Sequence, residues 1–243
     1  MSDASDAHAR RLGHPFELGW VLTWGAMVFD FLGEPDEWLK RIEEADRVGR
    51  ENSLPFLTEC LVPNHSGVAL IRKGHVAEGM ALLKRGMAFW EESGGILIIP
   101  HFKSVLAEAM AQLGDRSGAL ALADEAIAQV EQPGWEERWY HAETLRIKGW
   151  ILSLKGDLEG AGRAYSASLD WARQQQAKSW ELRTATSYAR LMRDQGRAGE
   201  AYELLAPVYD WFTEGFGTKD LKDFKALLEE LESSGAPAPA APA

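Results

Sequence analysis

The sequence predicts an all-α protein, a solenoid of five helix hairpins that repeat about every 41 residues and end in a C-terminal capping helix. The first observation behind this prediction is a glycine followed by a charged or ionisable residue, which recurs at nearly constant intervals. The intervals are 41, 40, 42 and 40 residues, between Gly33, Gly74, Gly114, Gly156 and Gly196. A fixed period of this size is typical of repeat arrays, in which each unit buries its apolar face against the next.

The second observation is an alternation of small and large residues around each glycine. Seven residues before the glycine the residue is always small, at Ala26, Gly67, Ala107, Gly149 and Ala189. Four residues before it the side chain is always large and apolar, at Phe29, Leu70, Met110, Leu152 and Met192. Five residues after it the residue is small in four repeats of five, Trp38 being the exception. Because small residues let two helices approach closely while large ones fill the space beside them, each glycine is predicted to be the turn of a hairpin.

The hairpins can be placed in order along the chain. The solenoid is predicted over residues 15–232, with repeats at about 15–54, 55–95, 96–134, 135–177 and 178–215. Its paired helices are expected at 15–32 and 35–51, 55–73 and 76–93, 97–113 and 116–131, 136–155 and 158–176, and 179–195 and 198–213. Pro15 and Pro55 suit the first position of a helix, where a missing backbone N–H costs nothing. Asp115 and Asp157 are expected N-caps, since their carboxylates can accept from unpaired backbone N–H groups.

The two ends of the chain are predicted to differ from the repeats. Residues 1–14 are expected to be a disordered N-terminus in which Ala7–Leu12 forms a remnant helical turn. Thr218 is expected to cap a final amphipathic helix over residues 218–231. Residues 233–243 are rich in Ala and Pro and are expected to form a disordered tail, because they offer no large side chain for a packed core.

Composition excludes several classes of function. The net charge of −11 argues against a protein that mainly binds nucleic acid or an acidic membrane surface. Cys60 is the single cysteine, so an internal disulfide cannot form and a cytoplasmic location is expected. No apolar run reaches about eighteen residues, so no membrane-spanning helix is predicted. The N-terminus also lacks the apolar core of a signal peptide.

No sequence motif predicts catalysis, a metal site or a cofactor. The six histidines include no pair four residues apart on one helix, the spacing with which two histidines hold zinc. Gly160-Ala161-Gly162 and Gly215-Phe216-Gly217 do not follow predicted strands, so they do not match a dinucleotide-binding turn. Cys60 lies in an apolar helix and is expected to be a buried small residue rather than a nucleophile.

The small–large pattern around a helix-turn-helix glycine resembles the tetratricopeptide repeat, in a long form of about 40 residues instead of 34. HEAT and armadillo repeats have comparable lengths but lack this regular glycine turn. The resemblance implies a right-handed superhelix whose first helices line a concave groove.

A closer resemblance covers roughly residues 7–232. Three segments carry it, namely Glu137-Arg138-Trp139-Tyr140 with Glu143, Ala177-Lys178-Ser179-Trp180-Glu181-Leu182-Arg183, and Leu205-Ala206-Pro207-Val208-Tyr209-Asp210-Trp211-Phe212-Thr213-Glu214-Gly215-Phe216. They resemble the C-terminal repeat region of bacterial adenylate/guanylate cyclase-type and predicted-ATPase regulators. In that family the region follows a catalytic or nucleotide-binding part, but this sequence contains no Gly-rich phosphate-binding loop and no cyclase-like sheet pattern. The resemblance therefore implies the scaffold without the enzyme activity.

The tetratricopeptide resemblance also implies which side chains line the groove. Carried over residue by residue, the partner-binding positions are Trp20, Trp24, Asn64, His65, Arg72, His101, Glu108, Gln112, Glu143, Arg146, Trp150, Arg183, Arg190 and Arg193. Packing alone does not need this mix of aromatic, amide, imidazole and guanidinium groups, but an ordinary solvent-exposed surface is an open alternative. Trp90, Trp171 and Trp211 recur at similar places on second helices and are expected to pack in the core.

Together these features predict a non-catalytic scaffold that binds a protein or peptide partner through the groove, in bacterial signalling or regulation. Arg146, Arg183, Arg190 and Arg193 are expected to bind an acidic peptide segment or a terminal carboxylate, with Trp150 as an apolar contact. The alternative for these arginines is pairing with carboxylates of the chain itself. For the whole chain, one alternative is a regulatory, sensor or oligomerisation arm of a cyclase- or ATPase-type regulator, which would allow a homo-oligomer. An enzyme on a helical scaffold is the other.

Overall fold

A computed structural model describes residues 2–233 of the chain. This part consists of α-helices, one π-helical segment and their connections, with no strand among the described residues. The predicted all-α fold class is therefore confirmed. Apart from Ser233, which ends the last helix, the predicted tail lies outside the described residues. No helix within residues 2–233 has both the length and the hydrophobicity needed to cross a bilayer.

The chain divides into two compact units, residues 1–115 and 116–243, called unit 1 and unit 2 below. Unit 1 contains α1 (Ser2–Leu12), α2 (Pro15–Ala26), α3 (Val28–Leu32), α4 (Pro35–Glu51), a π-helical segment (Phe56–Leu61), α5 (Val62–Arg72), α6 (Val76–Glu92) and α7 (Ile99–Gln112). Unit 2 contains α8 (Arg116–Val130), α9 (His141–Lys155), α10 (Leu158–Gln174), α11 (Lys178–Asp194), α12 (Ala198–Asp210) and α13 (Lys219–Ser233).

Helix hairpins build both units. In unit 1, α2 and α3 pack on α4, the π-helical segment and α5 pack on α6, and α7 lies against α5 and α6. In unit 2, α9 packs on α10, α11 packs on α12, and α8 lies against α9. We call α2, α3, α5, α7, α9 and α11 first helices, after their place in the predicted repeats. The helix α13 packs on α11 and α12, as expected of a capping helix.

Each hairpin turn depends on its glycine. Gly33, Gly74, Gly114, Gly156 and Gly196 all have positive φ, between 71° and 97°, which an L side chain rarely adopts. In every turn the N–H of the residue after the glycine donates to the carbonyl oxygen of the residue four positions before the glycine, at 2.9–3.0 Å. This hydrogen bond ends the helix in the same way five times, with the large apolar residue at the accepting position. Gly33, Gly74, Gly156 and Gly196 each join two paired helices, as predicted, whereas Gly114 ends α7 at the boundary of unit 1.

Close approach explains the small residues of the repeat. A methyl group added at Gly67 would lie 2.7 Å from the carbonyl oxygen of Gly79, which is shorter than a van der Waals contact. At the corresponding positions of unit 2, a methyl group added at Gly149 would lie 2.8 Å from the ring of Tyr165, and Ala161 is fully buried. The two helices of a hairpin therefore touch almost backbone to backbone where both residues are small.

The N-terminal prediction is corrected by the structure. Residues 2–12 form the helix α1, not a disordered segment with one remnant turn. Arg41 of α4 donates to both carboxylate oxygens of Asp6 at 2.6 Å, and Ala9 is buried. Arg10 also pairs with Glu44 at 2.6 Å. The sequence does not reveal this helix because it is strongly polar and its partners are 34 and 35 residues away.

Two predicted helices are interrupted. A turn at Met27 separates α2 from α3, next to Gly25, which lowers helix propensity. In the second repeat the chain is π-helical over Phe56–Leu61 before α5 begins. Pro63 explains this interruption, because it lacks an N–H and its ring clashes with the carbonyl that an α-helix would place four residues earlier.

Helix starts agree with the sequence in part. The Asp157 carboxylate accepts from the Gly160 N–H at 2.8 Å, which confirms the predicted N-cap. The hydroxyl of Thr218 instead donates to the Gly215 carbonyl at 2.8 Å. The helix α9 begins at His141, five residues later than predicted. The connection before it is not helical, and in it the Trp135 indole N–H donates to the Glu137 carbonyl oxygen at 2.8 Å.

Candidate functional site

The predicted groove residues of unit 1 fall into a buried group and an accessible group. Asn64, His65 and His101 are buried, so they cannot meet a partner directly and their predicted role is corrected. His65 is covered by aromatic side chains of three neighbouring helices, Trp24, Trp38 and Phe102. Trp20 is 38% exposed and Gln112 is exposed, so these two remain accessible.

An aromatic row connects the surface of unit 1 with its interior. The ring centroids of Phe16 and Trp20 are 6.0 Å apart, those of Trp20 and Trp24 are 5.4 Å apart, and those of Trp24 and His65 are 5.4 Å apart. Trp90 packs edge-on against Trp24 at 6.3 Å and is buried, as predicted for a core tryptophan. Trp20 is the member of the row best placed to offer an apolar contact to a partner.

His65 is a neutral, fully buried imidazole. Its ring lies 6.1 Å from the rings of both Trp38 and Phe102, in addition to Trp24. Burial, and to a smaller extent the nearby His101, lower the pKa of His65 to about 3. Cys60 lies one turn before Asn64, and burial raises the pKa of its thiol to about 12, so it is a poor nucleophile.

Arg72 joins three successive first helices of unit 1. Its Nε donates to Asp30 of α3 at 2.8 Å, and its Nη1 donates to Glu108 of α7 at 2.5 Å. Burial by itself would lower the pKa of Arg72, but the two carboxylates raise it well above its ordinary value. Two predicted partner-binding residues, Arg72 and Glu108, therefore bind each other and hold the helices together.

The same arrangement recurs in unit 2. The buried Glu143 of α9 accepts two hydrogen bonds from Arg146, both of 2.8 Å. Arg183 of α11 lies 3.8 Å from Glu143 through Nη1, and its Nε donates to Asp220 of α13 at 2.6 Å. A central arginine again bridges carboxylates on the helices at either side.

Arg193 is also paired within the chain. It donates to Asp194 at 2.8 Å and to Glu230 of α13 at 3.1 Å. Hydrogen bonding to Asp194 is the main reason that the pKa of Arg193 is raised. The sequence left open that the four arginines pair with the chain's own carboxylates. The structure shows this pairing for Arg146, Arg183 and Arg193.

Arg190 differs from the other three arginines. It is exposed and makes no hydrogen bond or ion pair with any residue between 2 and 233. Its charge acts on Tyr165, whose pKa is raised to about 12 mainly by burial. Trp150 is half-buried against the cluster of Leu152, Tyr165 and Leu191. The charge of an unpaired guanidinium thus acts on Tyr165, and an indole packs on the cluster that contains this tyrosine.

The segments that carry the family resemblance tie the hairpins of unit 2 together. The indole N–H of Trp180 donates to the Trp139 carbonyl at 2.8 Å, and Lys178 donates to Glu181 at 2.7 Å. Sequence reasoning missed the bond between Trp180 and Trp139, since it joins residues of different repeats, 41 positions apart. Trp211 is 57% exposed beneath the Lys178 ammonium, so its predicted core position is corrected. Phe216 is 46% exposed.

Unit 2 also has an open depression that the sequence did not indicate. It has a volume of about 710 Å³ and lies between α10, α11 and the start of α12. The side chains around it include Leu158, Arg163, Tyr188, Leu191 and Arg197. Its arginines pair with Glu159 and Glu200, so it lacks a net charge that would select an ion.

No three His, Cys, Asp or Glu side chains within the described range are grouped so that they could hold a metal ion. No protein-family model matches the chain, and no curated protein matches it either. Among solved structures, 23 chains match. One is the TPR2AB-domain:pHSP90 complex of yeast Sti1, which is 13% identical, with 88% of this chain and 98% of that chain covered and a TM-score of 0.37.

Proposed function

We propose that the chain is a non-catalytic scaffold that binds an acidic segment, or the terminal carboxylate, of a protein partner on the first-helix face of unit 2. This face comprises Glu143, Arg146, Trp150, Arg183, Arg190 and Arg193. The observation that carries the proposal is Arg190, an exposed guanidinium without an ion pair among the described residues, on a face where the other arginines are already paired.

The pairing of the other arginines supports this role. Because Arg146 and Arg183 are fixed by Glu143 and Asp220, the surface around Arg190 is held in place before a partner arrives. Binding to a preorganised surface loses less conformational entropy. A free guanidinium can then form a bidentate pair with a carboxylate, while Trp150 offers apolar area of the kind that dominates interface energetics.

The setting of this function is proposed from the family resemblance: regulation in the bacterial cytoplasm. An alternative is an arm that docks on a linked cyclase- or ATPase-type module or on another copy of the chain. The exposed aromatic side chains of Trp139, Trp211 and Phe216 favour that alternative, since they lie in the segments that carry the resemblance. In that case the aromatic residues of these segments, rather than Arg190, would be essential.

Affinity capture with matched variants tests the proposal. The intact chain, Arg190→Glu and Arg163→Glu are immobilised and exposed to lysate, and bound proteins are identified by mass spectrometry. Arg163 is an exposed arginine of α10 paired with Glu159, so its reversal controls for net charge. We expect a protein that Arg163→Glu retains and Arg190→Glu loses. Identical sets of captured proteins for the intact chain and these two variants would contradict the proposal. Trp211→Ala and Phe216→Ala are tested in parallel, and a partner lost only with these two variants would favour the docking arm.

A further inference from the structure

Unit 1 contains a cluster of buried polar atoms that have no hydrogen-bond partner among residues 2–233. Its members are both ring nitrogens of His65, the indole Nε1 of Trp24, the indole Nε1 of Trp38 and the side-chain Oδ1 of Asn64. The rings of Trp24 and Trp38 lie 5.4 Å and 6.1 Å from that of His65, and Asn64 is its neighbour in α5. Trp24 of α2, Trp38 of α4 and His65 of α5 therefore place unsatisfied nitrogens on three neighbouring rings, and Asn64 adds an unsatisfied oxygen at the residue before His65.

Such a cluster is unusual in a folded protein. More than about nine in ten buried polar groups are hydrogen-bonded, because an unpaired group loses the hydrogen bonds it makes with water in the unfolded chain. No hydrogen bond joins these atoms, and the His65 ring lies nearly perpendicular to the rings of Trp24 and Phe102. Four orphaned nitrogens on three neighbouring rings, with the Asn64 oxygen one residue away in sequence, indicate a shared partner.

The hydrogen-bonding capacity of the cluster defines that partner. The two indole N–H groups only donate, the amide oxygen only accepts, and a neutral imidazole does one of each. His101 is the titratable group that acts on His65, and it also disfavours a positive charge there. A partner must both donate and accept and must be uncharged, because no charge of the site would compensate a buried ion.

We propose that unit 1 has an internal binding site for neutral hydroxyl groups, formed by Trp24, Trp38, Asn64 and His65. Two sources can supply such groups: ordered water, or the hydroxyl of a small aromatic molecule admitted past Trp20. Proteins hold about one buried water per 27 residues, so several in a unit of this size are expected. The site is independent of the proposed partner-binding face, which lies in unit 2.

A crystal structure of the full chain at about 1.5 Å tests for the hydroxyl oxygen itself. We expect ordered oxygen atoms within about 3.2 Å of a His65 ring nitrogen and of at least one of the two indole nitrogens. An empty, dry cluster, or a His65 ring turned so that both nitrogens bond protein atoms, would overturn the proposal.

Two variants of His65 give a second test. His65→Gln keeps a donor and an acceptor for a bound hydroxyl, whereas His65→Phe keeps the ring but has neither. With a hydroxyl bound, the melting temperature should fall in the order parent, His65→Gln, His65→Phe, with several degrees between the two variants. A melting temperature of His65→Phe equal to or above that of His65→Gln would overturn the proposal, because removing unpaired polar atoms from a dry site stabilises it.

Phenol and benzene distinguish the two sources. A rise in melting temperature with phenol but not with benzene supports a small-molecule hydroxyl, since the two probes differ only by that group. No shift with either probe, together with ordered oxygens in the crystal, supports water. An equal shift with both probes and no ordered oxygen would show an apolar cavity and overturn the proposal.

Discussion

Arg72 and Arg183 have the same role in the two units, although Arg72 lies near the end of its first helix and Arg183 near the start of its own. Each lies between carboxylates of the helices at either side. Arg72 binds Asp30 and Glu108, and Arg183 binds Asp220 and lies near Glu143. All these side chains are at least half-buried, so the carboxylates depend on the guanidinium for compensation. The arginines act first as ties between repeats.

Replacing Arg72 should therefore destabilise unit 1. We expect Arg72→Ala to lower the free energy of unfolding by about 2–4 kcal/mol, since two partly buried carboxylates lose their counter-charge. Arg72→Lys should cost less, because it keeps the charge but not the fork that reaches both partners. Urea denaturation measures the change. Arg85→Ala, at an exposed site on α6, is the control, and an Arg72→Ala effect as small as this control would contradict the account.

His65 should make stability depend on pH. Its pKa is about 3 in the folded chain and 6.5 by reference, so below pH 6.5 the unfolded chain takes up a proton that the folded chain does not. Above pH 6.5 this proton uptake does not reduce the free energy of unfolding. As the pH is lowered towards 3, the free energy of unfolding falls by up to about 1.4 kcal/mol per pH unit. Between pH 6.5 and 5, the free energy of unfolding of the parent should fall by about 1–2 kcal/mol more than that of His65→Gln. Urea denaturation at pH 6.5 and 5 measures both losses. Equal losses of unfolding free energy in the parent and in His65→Gln would show that His65 does not cause the pH dependence.

At the scale of helices and turns, the hairpin contact predicts opposite effects for two glycines. Gly67→Ala places a methyl group 2.7 Å from the Gly79 carbonyl oxygen and should destabilise by about 1–3 kcal/mol. Gly162→Ala, inside α10, meets its nearest atom only at 3.5 Å and should be neutral or stabilising by up to about 1 kcal/mol. Thermal melts of both variants check the sign. A Gly67→Ala variant as stable as the parent would show that α5 and α6 do not approach each other this closely at Gly67.

Much of the fold could be predicted because it depends on local chemistry that repeats. A glycine with positive φ and the apolar residue that ends the helix before it occur at a fixed spacing, so Gly33 and its four equivalents stand out. The helix α1 could not be predicted, since ion pairs to α4 anchor it. The π-helical segment results from Pro63, whose effect inside a helix can be a kink, a break or a widened turn.

The candidate site was predicted less well than the fold. Positions carried over from a repeat family assume that the first-helix face is open, but Trp24, Trp38 and Phe102 cover His65 from three other helices. Which side chains bury a position depends on the residues of the neighbouring repeats, so the sequence of a single repeat does not reveal it. The bond of Arg183 to Asp220 could not be predicted from the sequence, because it joins residues 37 positions apart.

At the scale of the whole molecule, α13 should be essential for unit 2. Leu221, Phe224, Leu227 and Leu231 are buried in the cluster that also contains Leu205. Burying each large side chain contributes about 1.5–3 kcal/mol, so a chain ending at Gly217 should expose apolar surface and aggregate. Size-exclusion chromatography and dye binding measure this, with a chain ending at Ser233 as control. A monomeric, cooperatively melting chain without α13 would show that it is not a cap.

The most direct test of the scaffold function is the dissociation constant for the captured partner, measured by titration calorimetry at about 50 and 200 mM salt. The account predicts that salt weakens binding to the parent and that Arg190→Glu binds at least about tenfold more weakly, a loss of about 1.4 kcal/mol, with a smaller salt dependence. The Arg163→Glu control should bind within about twofold of the parent. Equal dissociation constants for Arg190→Glu and the parent, in correctly folded protein, would contradict the claim that this face binds an acidic partner.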